Sequence, residues 1–289
     1  MTIALFCAPY DAGQRDRRAG AGPDVLMKAG AVGRIEATAA DRVIPARVET
    51  DLRFPLEAGV GFDLARKLSG EVSRARRDDA FPLVLAGNCL TAVGTLSGAA
   101  DVPRLGIVWL DAHGDLNTPE TAPSGLIDGM ALAVATGRCW QAPARRIPAY
   151  APIPDRRVAH WGARDLDPAE RDILAAGDML AVDGKALAKP NGVVAVDMSL
   201  VDLARRVDAV YLHIDLDVID SSEARIGAYP VTGGPDGARL GAVVERIFAR
   251  LPVAAAGLAG YTPDMDADGA GRAIALDTLA TIGAALAAR

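Results

Sequence analysis

The sequence predicts an α/β fold built on a mostly parallel sheet with helices over both faces. Three observations predict it. Short runs that are apolar at nearly every position recur along the chain. Ala- and Leu-rich stretches with helical spacing separate several of them. Acidic residues cluster just beyond two of the runs, where open α/β sheets bind their ligands. A strand that is apolar throughout has both faces buried, and alternation with helices is the pattern of parallel crossovers.

In chain order, residues 3–7 read as the first strand. No basic segment precedes them, and a turn begins at Pro9, so they do not read as a signal peptide. Residues 83–86, 105–110, 158–161, 179–182, 209–214 and 253–261 read as further buried strands. Helical spacing marks residues 64–77, 168–176, 198–207, 241–251 and 273–288. No repeat, low-complexity tract or linker interrupts the 289 residues, so a single domain over 1–289 is expected.

A hydrophobic content of 51% excludes wholesale disorder. The net charge of −6 argues against nucleic acid or an anionic membrane as the main partner. No apolar run reads as long enough to span a bilayer. The short basic stretch from Arg15 to Arg18 reads as a solvated loop. Cys7, Cys89 and Cys139 are odd in number and far apart, so no disulfide framework is expected and a reducing cytoplasm is. Cys7 and Cys139 read as small buried apolar residues.

The first acidic cluster is Asp111-Ala112-His113-Gly114-Asp115, and about a hundred residues later comes His213-Ile214-Asp215-Leu216-Asp217. Alternate residues of an extended segment point the same way, so each cluster can converge on one point. Asp111, Asp115, Asp215 and Asp217 would then repel one another strongly, and a pair of divalent metals is the simplest thing that neutralises them. A lone Asp at a strand end more often caps a helix or forms a turn. Two such clusters, one carrying a His, favour the metal.

Other segments extend the pattern: Ala8-Pro9-Tyr10-Asp11-Ala12-Gly13 with Gly20, Gly22 and Pro23; Asn117-Thr118-Pro119 with Ser124-Gly125; and Gly162-Ala163-Arg164-Asp165-Leu166-Asp167-Pro168-Ala169-Glu170. With the two acidic clusters they resemble, over nearly the whole chain and in order, the arginase–agmatinase–formiminoglutamase (ureohydrolase) family. The resemblance implies a three-layer α/β/α sandwich with an eight-stranded sheet and two manganese ions. The second metal would be held by Asp111, His113, Asp215 and Asp217, and the first by Asp111, Asp115 and Asp215. Asn117 and Ser124 match positions that hold a substrate α-carboxylate, and Asp167 one that reads its amino group. Asn, Ser and Asp are also ordinary turn formers.

Three positions depart from the family. Cys89 stands where a His should ligate the first metal. Its thiolate would pull the metal preference from manganese toward zinc or iron. Cys89 could equally leave that site weak, act as a redox-sensitive group, or be an inert thiol. Asp128 replaces a His that shuttles protons, and reads either as a catalytic group contacting the leaving nitrogen or as a helix N-cap. Gly260 replaces a Glu that grips the guanidinium.

The resemblance implies cleavage of a C–N bond in a guanidino, hydroxyguanidino, amidino or formimino compound, amino-acid-like in its other half, by a metal-bridging hydroxide. It also implies a small-molecule partner and a trimer or hexamer. The three departures keep open a non-catalytic, ligand-binding protein on the same fold.

Overall fold

The computed structural model describes residues 1–38, 42–52 and 56–289. Its main sheet has eight strands: β1 (Thr2–Ala8), β2 (Arg42–Arg47), β3 (Ala80–Ala86), β4 (Leu105–Leu110), β5 (Val158–Trp161), β6 (Leu180–Val182), β7 (Ala209–Asp215) and β8 (Val253–Ala259). Their order is β2-β1-β3-β8-β7-β4-β5-β6, and the described pairings are all parallel.

Strand alternation divides the core in two. Ile3, Leu5, Leu83, Leu85, Val108 and Leu110 point to one face, and Phe6, Val84, Ile107 and Trp109 to the other. The first face is covered by α1 (Gly22–Lys28), α2 (Ala31–Glu36), and four helices from the second half of the chain. The second is covered by α3 (Glu57–Arg77), α4 (Thr91–Gly98) and α5 (Ala131–Ala135), with the short α6 (Gln141–Ala144) and then α7 (Pro168–Ala175). The later helices of the first face are α8 (Gly184–Ala188), α9 (Gly192–Ala204), α10 (Gly237–Arg250) and α11 (Ala270–Ala287). The fold is therefore the three-layer sandwich with an eight-stranded sheet.

The differences from the sequence reading have local causes. The edge strand β2 was not expected, because Pro45 and an Arg at each end break the apolar run. Helix α4 is buried at every position and so has no polar face to give a period. Helix α3 starts at Glu57 rather than at residue 64, since Gly59 and Gly61 thin the pattern in its first turns. Helix α11 corrects the membrane reading. Its 18 residues have a mean hydropathy of 1.3, enough in length and composition to cross a bilayer. In this fold Ala275, Leu279, Ile282 and Leu286 pack into the core beside the sheet.

Register sets the site. Leu110 of β4 lies opposite Ile214 of β7, so the next residues, Asp111 and Asp215, emerge side by side. Asp215 lies opposite Ala259 of β8, which places Gly260 next to it.

Candidate metal centre

A cavity of about 300 Å³ opens beyond the carboxyl ends of these central strands. Cys89, Asp111, His113, Asp115, Asn117, Ser124, Asp128, Asp167, Asp215 and Asp217 all line it. The structure thus brings every sequence-predicted site residue to one place.

The clusters converge, but not as extended segments. Asp111 follows β4 directly, whereas Asp115 sits in a loop with φ of +54°, in the left-handed region. Asp217 lies in a 3₁₀ turn, Leu216–Val218, whose backbone N–H donates to Asp215 Oδ1 at 2.9 Å. A turned backbone, not alternation, aims both side chains. Arg164 fastens the second loop. Its guanidinium donates to the carbonyls of Asp217, Val218 and Ile219 at 3.0–3.1 Å.

Asp111 is at the centre. Its Oδ2 accepts from Trp109 Nε1 at 3.1 Å and its Oδ1 from the His113 backbone N–H at 2.7 Å. His113 Nδ1 is 3.0 Å from Asp217 Oδ2 and 3.5 Å from Asp111 Oδ1. The Cys89 thiol donates to Asp215 Oδ2 at 3.0 Å. Burial, then neighbouring negative charge, pushes the Asp115 and Asp215 carboxyls well above the usual range, and Asp111 up to about 6. Burial also pushes the Cys89 thiol up. Asp217 goes the other way: burial opposes ionisation, but the His113 charge and hydrogen bond win and lower it. For His113, burial is outweighed by Asp217 and Asp111, which raise it to about 12.

Two buried atoms of this group have lone pairs that suit a cation. Asp115 Oδ2 and His213 Nε2 have no hydrogen-bond partner. Cys89, Asp111 and His213 can offer donor atoms within 4.8 Å of one another, and so can Asp111, His113 and Asp217. The residues present fit a pair of divalent cations with Asp111 common to both.

Asp128 is not an N-cap. It is the first residue of a 3₁₀ turn, and its Oδ1 instead accepts the Cys89 backbone N–H at 2.7 Å. Burial and the charges of Asp11, Asp111 and Glu57 raise it to about 8. Asn117 donates to Asp167 Oδ2 at 2.8 Å and accepts from Thr121 Oγ1 at 2.9 Å. Asp167 also caps α7 in a capping box with Glu170. The turn chemistry and the cavity lining are thus carried by the same residues. Ser124 Oγ accepts from Leu126 N–H at 3.2 Å.

Sequence reasoning missed Asp11, Glu57, Arg18 and His213 as cavity or centre residues. Asp11 lies inside a quoted motif, but Glu57 only opens a helix and carries no motif. The stretch Arg15–Arg18 is solvent-exposed, as read, but Arg18 also pairs with Asp11 at 3.0 Å and lines the cavity. His160, by contrast, is a buried strand histidine whose burial lowers it to about 4.

Gly260 has a steric reason. Its φ is +82°, and a Cβ there would lie 2.2 Å from Asp215 Oδ1. No side chain can stand at this position without displacing the Asp215 carboxylate. Gly260→Ala is expected to lose about 2–4 kcal/mol of stability by chemical denaturation. Gly260→Glu, which writes the family residue back, is expected to destabilise further rather than to create a cation-binding arm.

The arginase family model matches residues 1–285. The chain is 35% identical over 241 residues to an arginase of Bacillus subtilis, covering 81% of each chain. It is 33% identical over 245 residues to an arginase of Bacillus caldovelox, covering 80% of this chain and 81% of that one. The crystal structure of an arginase from Bacillus cereus superposes with a TM-score of 0.88 over 98% of both chains, at 26% identity. Motifs, fold and relatives agree, and the chain belongs to the arginase family.

Proposed function

We propose that the protein is a metal-dependent hydrolase of the ureohydrolase type, cleaving a C–N bond in a small guanidino, hydroxyguanidino, amidino or formimino compound. One observation carries this reading: Asp111, His113, Asp115, Asp215 and Asp217 converge on one cavity with two overlapping sets of donor atoms. The family relatives named arginases support it. Asp111, His113, Asp115, Asp215 and Asp217, with Cys89, would hold two divalent cations, manganese by family and zinc or iron at the position beside Cys89, which when bound would supply an activated water and neutralise developing negative charge.

The chain's own residues do the rest. Asp128, raised to about 8, is poised near neutrality to give a proton to the leaving nitrogen. Its hydrogen bond to the Cys89 backbone fixes its carboxyl. The Ser124 hydroxyl keeps its proton to donate to a substrate carboxylate, while Asn117 and Asp167 hold each other's positions on the same wall. That wall suits an amino-acid-like substrate.

The other wall bears on basicity. Gly260 offers no carboxylate, Arg18 neutralises Asp11, and burial raises Glu57. On this wall a fully charged guanidinium would find no firmly ionised partner. A less basic group, such as a hydroxyguanidine, an amidine or a formimino group, matches better. The test is turnover of metal-loaded protein across these classes. Turnover is expected to favour the less basic compounds over arginine. No turnover of any class, with two metals bound, would sink the proposal. Asp128→Asn is expected to lower kcat by about 10²–10⁴ with a smaller change in KM, read by steady-state kinetics.

A further inference from the structure

The family's first metal takes a His from the loop after β3, and this chain has Cys89 there. The structure offers a replacement from a different strand. His213 lies two residues before Asp215 on β7, directly opposite Trp109 of β4 in the register. Its side chain shares the face that bears Asp215 and is 1% exposed. The ring stacks on Trp109, with centroids 3.6 Å apart and planes 21° from parallel. Trp109 in turn reaches Asp111 through its Nε1.

The two ring nitrogens are placed differently. Nδ1 lies 3.1 Å from the Tyr211 hydroxyl, and Nε2 is buried with no partner. When Nδ1 carries the proton and donates to the Tyr211 oxygen, Nε2 is left with a lone pair. That is the arrangement of a ligating His whose far nitrogen is held by an outer hydrogen bond. An unpartnered ring nitrogen alone does not set His213 apart, since His160 has two; the placement does, because among the described residues His213 is the histidine grouped with the Cys89 thiol and the Asp111 carboxylate.

We propose that His213 supplies the nitrogen donor which Cys89 no longer provides, so that the first cation is held by Cys89, His213 and Asp111. This rests on the reading of the site as a binuclear metal centre. The donor atoms of these three residues lie within 4.8 Å of one another, and Asp215 Oδ2 is already 3.0 Å from the Cys89 sulfur. A sulfur, a nitrogen and carboxylate oxygens suit zinc, iron(II) or cobalt(II) rather than manganese. The second position, Asp111, His113, Asp217 and Asp215, has no sulfur. The centre is therefore selective by position, one thiophilic cation beside one that prefers oxygen.

The test compares the full chain with His213→Phe, which keeps a ring against Trp109. Each is loaded with a mixture of Zn²⁺ and Mn²⁺, desalted and assayed for metal. Each is also titrated with Co²⁺ and read for the sulfur-to-cobalt charge-transfer band. The parent chain is expected to hold one zinc and one manganese and to show the band. His213→Phe is expected to keep manganese, lose the zinc and lose the band, while its metal-free circular dichroism matches the parent. The double variant His213→Phe/Cys89→His is expected to regain a second ion without the band.

Equal metal content and an equal band in His213→Phe would overturn the role of His213 and leave the hydrolase reading standing. A parent chain that takes up no metal would overturn both. Should His213→Phe not fold, the parent chain still decides. It has only three histidines, so ¹⁵N-histidine spectra are assignable. Zn²⁺ is expected to move the His213 Nε2 resonance, and an unmoved resonance would overturn the proposal.

Discussion

Asp111→Ala is expected to abolish metal-dependent turnover, by more than about 100-fold, and to reduce bound metal to at most one ion per chain. Both candidate donor sets contain Asp111, and no other residue is shared between them. Its neighbours cannot substitute. Asp115 is aimed by a left-handed loop residue, and Asp217 is engaged with His113. The same substitution has a second readout. It removes one buried carboxylate from a mutually repelling group, while stranding the Trp109 Nε1 donor. The two effects oppose each other, so the metal-free variant is expected to melt close to the metal-free parent. Metal addition should then raise the melting temperature of the parent but not of the variant. A variant that keeps two metals and normal turnover would show that the centre lies elsewhere.

The metal-free chain is expected to lose stability between about pH 6.5 and pH 8, and metal is expected to reverse this. The sign follows from proton counts. Asp115 and Asp215 are raised well above the usual carboxylate range, Asp128 to about 8 and His113 to about 12. Groups raised in the folded state hold protons that the unfolded chain has released. Their stabilisation is complete at low pH and is lost as pH climbs through the folded values. His160 and His213 act the opposite way, since burial lowers them to about 4 and about 3. Their opposing effect runs up to about pH 6.5, where an unfolded histidine loses its proton, and then stops. Above that point each extra proton held by the folded chain costs about 1.4 kcal/mol per pH unit. Bound cations need these carboxylates ionised, so metal-induced stabilisation should grow over the same window. Thermal melts with EDTA and with Mn²⁺ or Zn²⁺, at several pH values, check both halves. A metal-free melting temperature that rises from pH 6.5 to pH 8 would contradict this account.

Much of this architecture could be read before any coordinates. The central strands are buried at nearly every position and mostly apolar, so β1, β3, β4, β7 and β8 announced themselves. The edge strand β2 and the wholly buried α4 did not, because one is polar at its ends and the other has no polar face. The metal-type carboxylates were legible because they come in tight sequence clusters. Glu57 and Arg18 were not, since the cavity wall they form joins loops with no shared motif. His213 stood in plain view within the second cluster. His160 also lies opposite Trp109 and also has unpartnered ring nitrogens; what distinguishes His213 is that its donor atom lies within 4.8 Å of those of Cys89 and Asp111, which only the coordinates show. Gly260 was noticed as a lost carboxylate, while the contact that forbids a side chain there needed three dimensions.

The strand order has a consequence for how the molecule is made. Strands β1 to β3 and β4 to β6 are synthesised first, yet β3 and β4 never touch; β7 and β8, the last two strands, occupy the gap between them. Until both arrive, a nascent chain carries two half-sheets, each ending in an unpaired apolar edge. Such edges invite pairing with other chains, and contacts between distant segments close slowly. Asp111 meets Asp215 only when β7 pairs with β4. Assembly of the complete carboxylate set is thus deferred to the final act of sheet closure, and a chain stalled at the half-sheet stage holds only the first of its two acidic clusters.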